Sequence, residues 1–171
     1  MKKELNEFLL ALMGLELSRT TRAANMQCFQ FGKLQSAGKG LIGEFGLHIQ
    51  CPWRLTNKKE IIVGSEDLFE QPTENGDYDP DFEWDKPMAN LRDIKLQKLF
   101  DTQQFKVNAV ATDHYGGLEI KFAEDFCLTL FPTLSSKYEF SEYWRLLNNK
   151  HESGRHLVVG PLGVEEIRDE E

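Results

Sequence analysis

The chain has 171 residues, of which 40% are hydrophobic and 28% charged, and its formal net charge is -8. That length fits one domain, or at most two small ones, with a core that needs no disulfide staples. The negative charge opposes phosphate backbones and anionic membrane surfaces, so neither nucleic acid nor a membrane is expected as a partner.

Leu5, Phe8, Leu9, Leu12 and Met13 recur at helical spacing and Gly14 stops the pattern, which predicts an amphipathic helix. Lys2-Lys3 ahead of this stretch raises the question of a signal peptide. Glu4, Asn6 and Glu7 interrupt the apolar run and no small-residue cleavage site follows, so a cytoplasmic location is expected. Beyond Gly14 the pattern changes to short alternating runs. Strands are predicted over 15–21, 26–31, 45–55 and 60–63, with 33–43 as a long hairpin loop and 56–59 as a tight one.

The segment 66–85 is acidic, punctuated by prolines and free of basic residues, and reads as a solvated linker or surface loop. A second helix is predicted over 90–100, with Leu91, Ile94 and Leu99 on one face and Asn90 as its cap. Further strands are predicted over 105–111, 118–122, 126–131, 142–147 and 156–159, and Tyr115-Gly116-Gly117 suits a hairpin corner. The acidic tail, 164–171, is expected to fray.

Part of this order is stated twice. Trp53 and Trp144 stand 91 positions apart, as do Phe31 and Phe122, and each Trp-Arg-Leu precedes an apolar run ending in Val-Gly. EIIVG, ending at Gly64, matches HLVVG, ending at Gly160, after a hairpin five residues longer. The expectation is an internal duplication with a pseudo-twofold axis. One half spans 1–68 and the other 90–163, with 69–89 as the acidic connection. Neither half buries enough core alone, so the two are expected to form one α+β unit, predominantly antiparallel, with two short helices.

Alternation in GLHIQCPWRL sends Leu47, Ile49, Cys51, Trp53 and Leu55 to one side of a strand, and His48, Gln50 and Arg54 to the other. The first set is core. The second is a polar row that either faces solvent or lines a cleft, and Pro52 marks an edge or bulge beside it. Arg145 repeats the place of Arg54, so pseudo-symmetry would bring two guanidinium groups together as an anion-binding spot. The competing reading has each arginine bracing the fold against a carboxylate such as Glu142 or an aromatic ring. Asp113 and His114 meet at a hairpin end, and His48 is a candidate base. No nucleophile elbow, phosphate loop, metalloprotease helix or dinucleotide fingerprint is present, and no catalytic residue is assigned.

Cys28, Cys51 and Cys127 are odd in number and widely spaced, so no metal site or other cofactor is expected. Cys51 and Cys127 read as small buried hydrophobes in a reducing compartment.

CFQFG, GLHIQCPWRL with VGSEDL behind it, GGLEIKF, LTLFP, and YWRLLNN with HLVVG together resemble a group of uncharacterised bacterial proteins. The similarity spans most of the chain outside the acidic segment and the tail, and it carries no activity or catalytic residues over. The compact, acidic, β-rich form is also similar in style to immunity-type proteins that neutralise bacterial toxins. The expected function is a non-enzymatic binding or interaction protein, with a protein partner or a small anionic ligand held near Arg54 and Arg145. A homodimer is compatible with it. The alternative is a small hydrolase-like enzyme using His48 or the Asp113/His114 pair.

Overall fold

The computed structural model describes residues 2–38, 40–73, 78–138, 140–150 and 154–168. The first helix, α1 (Lys2–Leu10), buries Leu5, Phe8 and Leu9, and a further turn carries Leu12 into the core. Met13 remains exposed, because Gly14 at φ +78° turns the chain away one residue later. The strands follow as β1 (Leu17–Ala23), β2 (Met26–Phe31), β3 (Gln35–Ala37), β4 (Gly40–Ile42), β5 (Phe45–Ile49), β6 (Trp53–Thr56) and β7 (Ile61–Gly64). After α2 (Leu91–Thr102) come β8 (Val107–Thr112), β9 (Leu118–Phe122), β10 (Cys127–Leu130), β11 (Trp144–Asn148), β12 (Arg155–Gly160) and β13 (Gly163–Arg168). No helix among the described residues is long and apolar enough to cross a membrane.

The result is an α+β fold whose described strands pair antiparallel throughout. One sheet has six strands in the order β1-β2-β5-β11-β12-β13, and the other has five in the order β7-β6-β10-β9-β8. Alternate residues of both sheets meet in a single core. Phe29 of the first sheet and Trp53 of the second touch edge to face, with ring centroids 5.6 Å apart. Burying side chains of this size contributes about 2–3 kcal/mol each, which is what holds two sheets together without covalent links.

The run expected as one strand over 45–55 is two. The chain leaves the first sheet after Ile49, turns at Gln50–Pro52 and enters the second sheet at Trp53. Pro52 lacks the N–H a continuing ladder needs, and the Gln50 and Cys51 N–H groups both donate to the Tyr143 carbonyl instead, at 2.9 and 3.0 Å. The chain makes the same change of sheet between β10 and β11.

The two sheets consequently correspond strand for strand: β1-β2-β5-β11-β12 in one matches β8-β9-β10-β6-β7 in the other. Trp144 pairs with Ile49 on β5, and Trp53 pairs with Leu130 on β10. Both outer hairpins carry a bulge at the same place, between Leu17 and Arg19 and between Val107 and Ala109. At the starts of β1 and β8, Leu17 N–H donates to Phe105 O at 2.8 Å and Val107 N–H to Leu15 O at 2.9 Å. The ladder sets Leu157, not Val159, in the place of Val63, so the Gly64 and Gly160 match expected from the sequence is out of register there.

Three segments differ from expectation. The loop over 33–43 contains the small β3–β4 hairpin. The tail does not fray from 164, because β13 pairs with β12 through Arg168; residues 169–171 lie outside the described residues. The acidic segment is anchored to the body at both of its ends. Leu68 is fully buried and the Phe69 and Trp84 rings meet at 5.4 Å, while residues 74–77 lie outside the described residues. Asn90 caps α2 as expected, its Oδ1 accepting the Asp93 N–H at 2.8 Å.

Candidate functional site

The six candidate residues divide among four places. His48 and Arg145 oppose each other on neighbouring strands β5 and β11, on the face of the first sheet turned away from the core. Gln50 lies in the turn where the chain changes sheets and is exposed. Arg54 projects from the outer face of the second sheet, since Trp53 and Leu55 on either side of it are buried. The polar row is therefore broken, and Arg54 and Arg145 face opposite ways across the core. Their expected convergence fails for a single reason: the change of sheet at Pro52 was not visible in the alternation.

Both arginines are braced. Arg145 Nε and Nη2 donate to the two carboxylate oxygens of Glu142, the first at 2.8 Å. That pairing raises the Arg145 pKa above its ordinary value. The Arg54 guanidinium lies over the Phe131 ring at 5.4 Å.

Burial holds the His48 imidazole below the ordinary histidine range. Arg145 and His156 push the same way, and Glu142 opposes them. The unfolded chain thus takes up a proton at this residue as pH falls through about 6.5 while the folded chain still resists it, so acidification favours unfolding. His48→Gln is expected to lose less stability than the wild type between about pH 7 and about pH 5, measured by urea unfolding at both. An unchanged loss would show that His48 takes no part in acid sensitivity.

Asp113 and His114 sit elsewhere, at the end of the β8–β9 hairpin. They line an open cleft of about 900 Å³. The Asp113 carboxylate accepts the N–H groups of Tyr115 and Gly117, both at 2.8 Å. It is spent on holding the corner and is not paired with His114. Gly116 at φ +85° packs its backbone against the Tyr143 ring, where an added Cβ would come within 3.0 Å, and its carbonyl accepts the Trp144 indole N–H at 2.7 Å. His48 is not among the residues lining this cleft, so the candidate acid–base groups do not meet in one pocket.

The rest of the cleft comes from segments passed over in the sequence. Leu5 and Asn6 of α1 and Val164 of β13 form one side, and Leu134 and Lys137 of the 131–143 connection form another. Tyr143 stands in the floor, its hydroxyl donating to Leu134 O at 2.8 Å. Two large apolar side chains of its lining are exposed, Tyr115 at 82% and Leu134 at 49%. The one sequence signal was PTLSSKYEF, a loop with three large apolar residues and no strand alternation to bury them.

All three cysteines are free. Burial pushes the Cys51 thiol up to about 12 and raises Cys28 and Cys127 as well, which disfavours the reactive thiolate in each; Cys127 is half-buried, not buried as expected. Among the described residues no cluster of His, Cys, Asp and Glu is placed to hold a metal ion. No protein-family model matches the chain, and no curated protein or solved structure is significantly similar to it.

Proposed function

We propose that the chain is a cytoplasmic, non-enzymatic interaction protein of bacterial type, and that the cleft receives a basic protein partner. The observation that carries this reading is the pair of exposed apolar side chains, Tyr115 and Leu134, that line an open cleft of about 900 Å³. Large apolar side chains grouped around a concavity are the usual mark of a protein contact. The net charge of -8 steers positively charged partners towards the molecule, and the likeness to immunity-type proteins agrees with that. A small anionic ligand at Arg54 and Arg145 has less behind it, because the two lie on opposite outer faces and are already engaged. The hydrolase alternative has no observation in its favour.

The test begins with the tagged wild-type chain in a host lysate, set beside Tyr115→Ser/Leu134→Asp. Both substitutions lie on the exposed rim, and circular dichroism and thermal unfolding confirm that the fold is kept. A captured protein counts only after purification and mixing with the wild type. It should then form a defined complex and slow hydrogen exchange at 113–117 and 160–164, and the double variant should weaken it at least about a hundredfold. Equal binding by the variant would move the site away from the cleft. Light scattering on the pure chain identifies the case in which the partner is a second copy.

The same halves also present a weaker claim, the internal duplication. The shared strand order, the shared bulges and the equivalent tryptophan pairings support it.

A further inference from the structure

Two cavities occupy corresponding places in the two halves. The open cleft lies between the end of the β8–β9 hairpin and Leu5 and Asn6 of α1. A second cavity, of about 400 Å³, lies between the end of the β1–β2 hairpin and Leu96 and Gln97 of α2. Leu5 precedes Trp53 by the same interval as Leu96 precedes Trp144. Arg22 pairs with Gln27 in one hairpin as Thr112 pairs with Leu118 in the other. The comparison rests on pairing geometry and does not need the halves to share an ancestor.

The second cavity is walled by the chain's own segment 84–88. Arg22 Nη2 donates to the carbonyls of Trp84, Asp85 and Lys86 at 3.4, 3.0 and 3.1 Å. Asp93 accepts Arg22 Nε at 3.0 Å and the Met88 N–H at 3.2 Å, and Pro87 and Met88 line the space beside Leu96. An irregular strip of backbone, gripped through its carbonyls and carrying two apolar side chains, thus covers α2 at this end. The corresponding space is the larger cleft, where the irregular run 132–137 and Leu5 and Asn6 of α1 leave an open volume of about 900 Å³.

We propose that the cleft takes a short, turn-rich segment of the protein partner, laid against α1 as residues 84–88 lie against α2. An apolar side chain of that segment, proline or methionine in kind, sits against Leu5, Tyr143 and Val164. Lys137 and Asn6 are the rim donors for its carbonyls, since Thr112 stands where the other half has Arg22. This deepens the interaction reading above and rests on it.

The probe is the blocked peptide FEWDKPMAN, the sequence of residues 82–90, titrated into the ¹⁵N-labelled full-length chain. The expected result is saturable shifts of the Tyr115, Gly117, Gly163 and Val164 amides, absent with a peptide in which the proline and methionine are replaced by aspartate. Thr112→Arg restores the carbonyl-gripping fork and should tighten the peptide about tenfold, with its own amide spectrum showing that the fold is kept. Absence of shifts at millimolar peptide, shifts confined to another surface, or no tightening by Thr112→Arg would overturn the proposal. If a purified partner still binds at the cleft while the peptide does not, the interaction reading survives and the inference of a bound turn-rich segment falls.

Discussion

Trp144→Ala is expected to cost about 3–5 kcal/mol of unfolding free energy, and Trp144→Phe about 1–3 kcal/mol. The ring is fully buried at the centre of the six-stranded sheet, opposite Ile49 on one neighbour and Val159 on the other. Alanine leaves a cavity that strands pinned on both sides cannot close. Phenylalanine keeps most of the packing and loses the indole N–H, which leaves the Gly116 carbonyl without its 2.7 Å donor. That carbonyl belongs to the corner that shapes one wall of the cleft. The phenylalanine variant should therefore speed hydrogen exchange at Tyr115 and Gly117 more than at β2, where no bond is lost. Urea unfolding gives the first quantity and exchange by NMR the second. A phenylalanine variant as stable as the wild type, with unchanged exchange, would show that the indole bond does not support the corner.

Arg92→Ala is expected to cost at least about 3 kcal/mol, a large effect for a residue on a short helix. Its side chain is only 1% exposed, yet its hydrogen-bond partners are neutral: Nη1 donates to Asn25 O and Ser65 O, and Nη2 to Asn25 O, all at 3.3 Å. The guanidinium also faces the Trp53 ring at 5.9 Å, and its Nε has no hydrogen-bond partner among the described residues. Burial pulls its pKa down to about 10, which still leaves it charged at neutral pH. One side chain thus joins the β1–β2 turn of the first sheet, the exit of β7 from the second, and α2. Alanine leaves the Asn25 and Ser65 carbonyls without their donor and a void against Trp53. Lysine keeps the charge but not the fork that reaches two carbonyls, and methionine keeps the volume alone, so each should fall between alanine and the wild type. The order is read from urea midpoints at unchanged slope. Methionine equal to or better than the wild type would mean that the buried charge costs as much as its bonds return.

Local information was enough for most elements, because the physics that forms them is local. Helical spacing of Leu5, Phe8, Leu9 and Leu12 set α1, Asn90 set the start of α2, and alternation with glycine or proline breaks set the inner strands. The repeated Trp-Arg-Leu also led to tryptophans that hold equivalent positions. Alternation fixes which residues share a face of a strand, but not which sheet that strand joins. Cys51 and Trp53 looked like continuing one strand with Leu47 and Ile49, and only long-range pairing with Tyr143 and β10 shows that the chain crosses over at Pro52.

The sites follow the same division. The sequence by itself determined the α+β class, the core residues and the acidic charge, each a property of composition or of spacing within a few residues. Tertiary structure alone decided that Arg54 and Arg145 face apart, that Asp113 is used up within its own turn, and that Leu5, Tyr115, Leu134 and Val164 meet around one cleft. Those four residues come from four separate segments of the chain. What brings them together is the packing of two sheets across a shared core, a balance of buried area and chain connectivity that no local pattern contains.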